Sequence, residues 1–133
     1  MQTASLAITG FYTGILAILY IALSFKVIGQ RRNKRVGIGD GGGEHPELAQ
    51  AIRVHANFIE YVPIALLLLA IYELGGGNVM FVHAFGGLLV TARFLHAIGL
   101  GKSIGTSWQR FAGTLSTFII ILVLAIMNII AIF

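Results

Sequence analysis

Long apolar runs broken by short polar stretches set the pattern of this chain. It predicts four helices, over about 4–28, 46–74, 79–98 and 108–132. A membrane-spanning helix needs roughly 20 predominantly apolar residues. The first run meets that with no charge from Met1 to Phe25, and the fourth with none from Phe111 to Phe133. The second run does not. Its apolar part, YVPIALLLLAIY, holds only about 12 residues between Glu60 and Glu73, too few to cross alone. A crossing helix must therefore draw Arg53, His55, Asn57 and Glu60 to the edge of the hydrocarbon. An ionisable group there costs about 3 kcal/mol on insertion scales, and such groups usually face a protein interior and mark a site. On a helix Arg53, Asn57 and Glu60 stand at i, i+4 and i+7 and share one face.

The breaks carry their own signals. Lys26, Arg31, Arg32, Lys34 and Arg35 form a basic cluster after the first run, as expected of a cytoplasmic loop and suited to anionic headgroups. GIGDGGGEHPELAQ follows and reads as a flexible loop. It lacks the preceding strand and the G-K-[ST] of a phosphate loop. Pro46 suits the first turn of the second helix, with Glu44 and Glu47 near its positive end, and Pro63 is a candidate kink. GGGN, residues 75–78, is a tight turn without a cation. Gly10 with Gly14, and Gly86–Gly87 with Ala84, permit close helix approach. Trp108 fits an interfacial anchor, and Asn128 a packing contact.

Composition turns these runs into a class. The chain has 133 residues, 57% hydrophobic and 11% charged, with mean hydropathy +0.90. That is an all-α integral membrane four-helix bundle, one domain over 1–133. The net charge of +4 does not indicate nucleic acid, because all nine Lys and Arg follow membrane topology. They fall in the first loop, at the foot of the second helix (Arg53), at the end of the third (Arg93), in the loop after it (Lys102) and at the start of the fourth (Arg110). The basic side is thus expected to be cytoplasmic and both termini to face out. The first run is not expected to be a typical cleaved signal peptide, since its basic cluster follows rather than precedes it. Without cysteine there is no disulfide, thiol nucleophile or thiolate metal site.

This topology brings Arg53, Asn57, Glu60, Arg93, His96 and Arg110 to one depth. Arginine binds carboxylates through two parallel hydrogen bonds, and Glu60 can accept from a ligand ammonium. A peptide with two carboxylates and one amine complements the set. An arginine in a partly dry site would also stabilise a bound thiolate. No metal site is expected, because His45, His55, His83 and His96 lack ligand spacing. His55, about 200° round the helix from Arg53, is expected at a subunit contact. His83 is expected as a satisfied core histidine.

The string Arg53-x-x-x-Asn57-x-x-Glu60-Tyr61-x-Pro63, followed by Arg93-x-x-His96-x-x-Gly99, resembles the MAPEG family, the membrane-associated proteins of eicosanoid and glutathione metabolism. It is most similar to bacterial members of the microsomal glutathione transferase type. The resemblance covers nearly the whole chain. It implies a homotrimer in the bacterial inner membrane that binds glutathione between subunits near the cytoplasmic face. A lipophilic small molecule or lipid would be the second partner, in a transferase or peroxidase reaction. Arg53 would meet a glutathione carboxylate, and Asn57 and Glu60 the peptide backbone and γ-glutamyl amine. Tyr61 would line the pocket, Arg93 would be the arginine of the third helix, and His96 stands where members carry Tyr or His. Two positions depart from the pattern. Leu100 sits where several eicosanoid-making members have Tyr. Their thiol-activating arginine falls, without gaps, near Ser107, and Arg110, about one turn on, is the candidate catalytic residue. Two other readings stand beside this one. One is a non-catalytic membrane module, either a lipid binder or a subunit of a larger complex. The other, a small multidrug transporter, needs a membrane-embedded Glu in its first helix, which this chain lacks.

Overall fold

The computed structural model describes residues 5–99 and 107–133; Leu100 and Lys102 lie outside them. Among the described residues there are four helices: α1 (Ala7–Lys34), α2 (Pro46–Leu74), α3 (Val79–Ile98) and α4 (Trp108–Ile130). Each is long and apolar enough to cross a membrane, and the described residues contain no strand. The protein is an all-α, four-helix integral membrane protein. α2 and α3 each pack against all three other helices. Among the described residues α1 and α4 share no contact and occupy opposite corners.

The core follows the helical period. Val54, Phe58, Val62, Ala65 and Leu69 form the buried stripe of α2, spaced by three or four residues, and Leu16, Leu19 and Leu23 form that of α1. Val82 and Leu89 of α3 and Ile120 and Leu124 of α4 complete it. Large apolar side chains also cover the outside, among them Phe11, Ile18, Ile21 and Phe25 of α1. With an apolar solvent on the outside, burial does little to drive helices together, so close packing and polar contacts must. Gly86 of α3 shows how. A Cβ there would run into the Tyr12 ring of α1, so only glycine lets the two helices meet at this point. Gly10 and Gly14 do not work this way, since nothing lies within 4 Å of a Cβ placed on either.

α1 departs from expectation at its end. It runs to Lys34 rather than stopping near residue 28, so Lys26, Arg31, Arg32 and Lys34 ride on a helix beyond the apolar run. Gln, Arg and Lys are good helix formers, and three cations in the last turn complement the helix dipole. The chain leaves through Arg35 in the left-handed region (φ 56°), and Val36 N–H returns to Arg31 O at 3.0 Å, closing the helix end. The following loop folds back on that end. Arg31 Nη1 donates to Gly39 O at 2.8 Å and to Val36 O at 3.4 Å, and Lys34 pairs with Glu47 in the first turn of α2 at 3.5 Å. α2 continues unbroken through Pro63.

The end away from the cations is tied by polar contacts between helices. The Glu73 carboxylate, from the last turn of α2, accepts from Ile8 N at 3.0 Å and Thr9 N at 2.8 Å. It thereby caps the first turn of α1, whose amides have no intrahelical partner. Asn78 caps α3 by accepting from Met80 N at 2.9 Å, and its own N–H donates to the Tyr72 hydroxyl at 3.1 Å. Asn128 Nδ2 donates to Leu68 O and Leu124 O, both at 2.9 Å, joining α4 to α2.

Candidate functional site

A cavity of about 240 Å³ opens at the basic end, lined by Arg53 and Asn57 of α2, His96 of α3, and Arg110, Phe111 and Thr114 of α4. The spacing of each helix explains who arrives. Arg53 and Asn57 are one turn apart on α2. Arg110 and Thr114 are one turn apart on α4, and Phe111 flanks Arg110 on the outward side, 68% exposed.

Arg93 sits behind this cavity rather than in its wall. It is only 1% exposed. Its Nη2 donates to Asn57 Oδ1 at 2.7 Å, and its guanidinium carbon lies 5.7 Å from the centre of the Phe58 ring. Among the described residues Arg93 Nε and Nη1 and His96 Nδ1 are buried without a hydrogen-bond partner. Asn57 thus joins the cavity wall to the buried arginine. Glu60 faces Arg53: the pair meets at 3.3 Å and 3.5 Å through both guanidinium nitrogens and both carboxylate oxygens, and both side chains are exposed in the single chain. Tyr61 points elsewhere. Its ring packs edge-on against Phe118 of α4, 4.9 Å between centres, and it is not among the lining residues. No group of three or more metal-ligating side chains occurs among the described residues.

α4 can stand this close to α3 because of Gly113. A Cβ there would lie 2.5 Å from Ala92 O and 2.9 Å from His96 Cβ, so any side chain would push the helix and Arg110 away from His96. Ser107 caps α4. Its hydroxyl accepts from Arg110 N and donates to Gly99 O, both at 3.3 Å, tying the start of α4 to the end of α3. Ser107 is therefore a helix cap, and the α4 arginine that lines the cavity is Arg110.

His83 is not where the sequence suggested, and His55, expected at a subunit contact, has partners within its own chain. His55 faces α1 of its own chain. Its Nε2 lies 3.0 Å from Ser24 Oγ, and its ring stacks on Tyr20 at 5.1 Å. His83 is exposed rather than buried in the core; its Nδ1 meets the Tyr12 hydroxyl at 3.0 Å. An apolar helix in a membrane chain is apolar all round, so depth in sequence does not reveal which side faces the bundle. Phe111 and Thr114 were missed for the same reason, lying inside an uncharged run. Once Arg110 is in the cavity, the i+4 rule points to Thr114.

Sequence comparison adds the relatives. Residues 9–130 match the model of the MAPEG family. The chain is 34% identical over 121 residues to the inner membrane protein YecN of Escherichia coli strain K12, covering 91% of this chain and 89% of that one. The YecN of Escherichia coli O6:H1 strain CFT073 matches to the same extent.

Proposed function

The chain belongs to the MAPEG family, and from that premise we propose that it binds glutathione in the cavity between α2, α3 and α4. In this reading it works as a homotrimer in the bacterial inner membrane, conjugating glutathione to lipophilic electrophiles or using it to reduce lipophilic peroxides. The observation that carries the reading is one of charge. Arg53 and Arg110 line the cavity with Arg93 behind it, and Glu60 pairs with Arg53 at the edge of the set, three cations to one anion. Glutathione in its thiolate form carries two carboxylates, one thiolate and one ammonium, the same pattern with the signs reversed. Such complementarity selects partners and steers their approach.

The roles follow from position. Arg53 engages a carboxylate of the peptide, and Glu60 takes the γ-glutamyl ammonium. Both are already presented outward. Asn57, held by Arg93, and His96 contact the peptide backbone. Arg110 stabilises the thiolate, since a nearby cation favours the ionised sulfur. The thiol proton leaves to water. The sulfur then bonds to an electrophilic carbon presented from the bilayer, and the displaced group departs with its bonding electron pair; or it attacks a peroxide oxygen, the O–O bond breaks, the alkoxide leaves and takes a proton, and a second glutathione reduces the resulting sulfenic acid to the disulfide and water. Tyr61 supports α2 against α4 through Phe118.

Equilibrium dialysis of the detergent-solubilised protein tests this. Arg53→Ala and Glu60→Ala each remove a hydrogen bond to a charged group, worth about 1.5–3 kcal/mol, and should weaken glutathione binding at least tenfold. Native-like binding by both variants would overturn the site. One observation favours a second reading, a non-catalytic membrane module, either a lipid binder or a subunit of a larger complex: Ser107, near where the resemblance puts the thiol-activating arginine, caps α4 instead. Arg110→Ala separates the two: loss of conjugation of a test electrophile marks an enzyme, and unchanged conjugation favours the non-catalytic module. The basic end faces the cytoplasm and both termini face out. A chain without cysteine allows a clean check, in which an impermeant maleimide applied to intact cells labels Ile132→Cys and spares Gly37→Cys.

A further inference from the structure

Thr114 behaves unlike the threonines around it. In a helix crossing hydrocarbon, a hydroxyl normally donates to the carbonyl four residues back, because a free hydroxyl there costs about 1–3 kcal/mol. Thr13, Thr91 and Thr117 do this, to Thr9 O, Gly87 O and Gly113 O, at 2.7, 2.9 and 2.8 Å. Thr114 does not. Among the described residues its hydroxyl makes no hydrogen bond, to the carbonyl of Arg110 four residues back or to any other group. The Thr9 hydroxyl is also unpaired, but Thr9 is buried at the far end of α1, whereas Thr114 lines the cavity.

Its place along the cavity gives the free hydroxyl a purpose. α4 enters the bilayer from the basic end, so Thr114 lies one turn deeper than Arg110. The lining runs from nitrogen donors, on Arg53, Asn57, His96 and Arg110, to Phe111 and Thr114 on the α4 wall. Phe111 opens to the outside. A nucleophile meant for a substrate dissolved in the membrane belongs at that wall, where polar lining gives way to hydrocarbon. We propose that Thr114 is a catalytic residue of this site, its hydroxyl donating a hydrogen bond to the sulfur of bound glutathione beside Arg110, with the lipophilic electrophile reaching that sulfur past Phe111. The assignment rests on the glutathione reading above. A hydroxyl suits the position because it favours the ionised sulfur without a further buried charge to compensate.

The test uses the full-length protein in detergent, reduced glutathione and S-methylglutathione. Thiolate formation in the complex is followed by ultraviolet absorbance across pH for the native chain, Thr114→Val and Thr114→Ser. Valine keeps the shape and removes the donor. The midpoint for thiolate formation should rise by about one pH unit in Thr114→Val, a roughly tenfold loss of thiolate at a given pH, and return in Thr114→Ser. Binding of S-methylglutathione, which has no thiol to ionise, should match the native chain in both, so a merely structural role for Thr114 would be exposed by a loss there. A Thr114→Val midpoint equal to the native one overturns this assignment alone. A native chain that binds no glutathione overturns the parent reading together with it.

Discussion

The two ends of the bundle solve opposite problems. At the far end, polar groups meet partners in the same chain: Glu73 caps α1, Asn78 caps α3, and Tyr72 and Asn128 tie the turn and α4. The group left over among the described residues there is the neutral Thr9 hydroxyl. At the basic end the leftovers are nitrogens of Arg93 and His96, buried beside a cavity with further arginines in its wall. Burying a guanidinium without an ion pair costs far more than burying a hydroxyl. This difference between the two ends is what the proposed anionic ligand would answer.

This contrast can be broken by substitution, read as unfolding of the detergent-solubilised protein. The largest effect is expected for Asn57→Ala, which strips Arg93 of its hydrogen-bond acceptor and should cost about 3 kcal/mol, whereas Arg93→Met, removing charge and need together, should cost less. If Arg93→Met proves the more damaging, the basic end is a structural clamp rather than a receptor. Gly113→Ala comes next, at about 2 kcal/mol, because its Cβ would press on Ala92 O and overpack the α3–α4 contact. It should also weaken glutathione binding by moving Arg110. Glu73→Ala should cost about 1 kcal/mol, the worth of a helix cap, and leave binding unchanged. Arg53→Ala should be the mildest for stability, below about 1 kcal/mol, since its ion pair is exposed, while being among the worst for binding. Stability and binding should thus separate by end.

Much of this was legible in the sequence. The shortness of the apolar run after Glu60 required Arg53, Asn57 and Glu60 to stand at the membrane edge, and helical spacing put them on one face. Positive charge placed Arg93, His96 and Arg110 at the same end. What spacing could not supply was rotation. In a chain apolar on every side, the period that marks a buried face in water loses contrast. Hence Tyr61 turned to Phe118 instead of the cavity, His83 faced outward, and Thr114 passed unnoticed inside an apolar run. Glu73 was read as the edge of a span because its partners are backbone amides 64 and 65 residues away, which no local pattern encodes. The helical extension of α1 was hidden by its charge, since a basic run reads equally as loop or as helix beyond the bilayer.

The account stands on the cations of three helices holding a small anionic peptide. Calorimetric titration of the folded, detergent-solubilised protein tests this most directly, with glutathione and with the same peptide amidated at its glycine carboxylate. The account predicts saturable binding of glutathione that weakens at least tenfold when that carboxylate is neutralised. No heat of binding from well-folded protein, or equal affinity for both peptides, would contradict it.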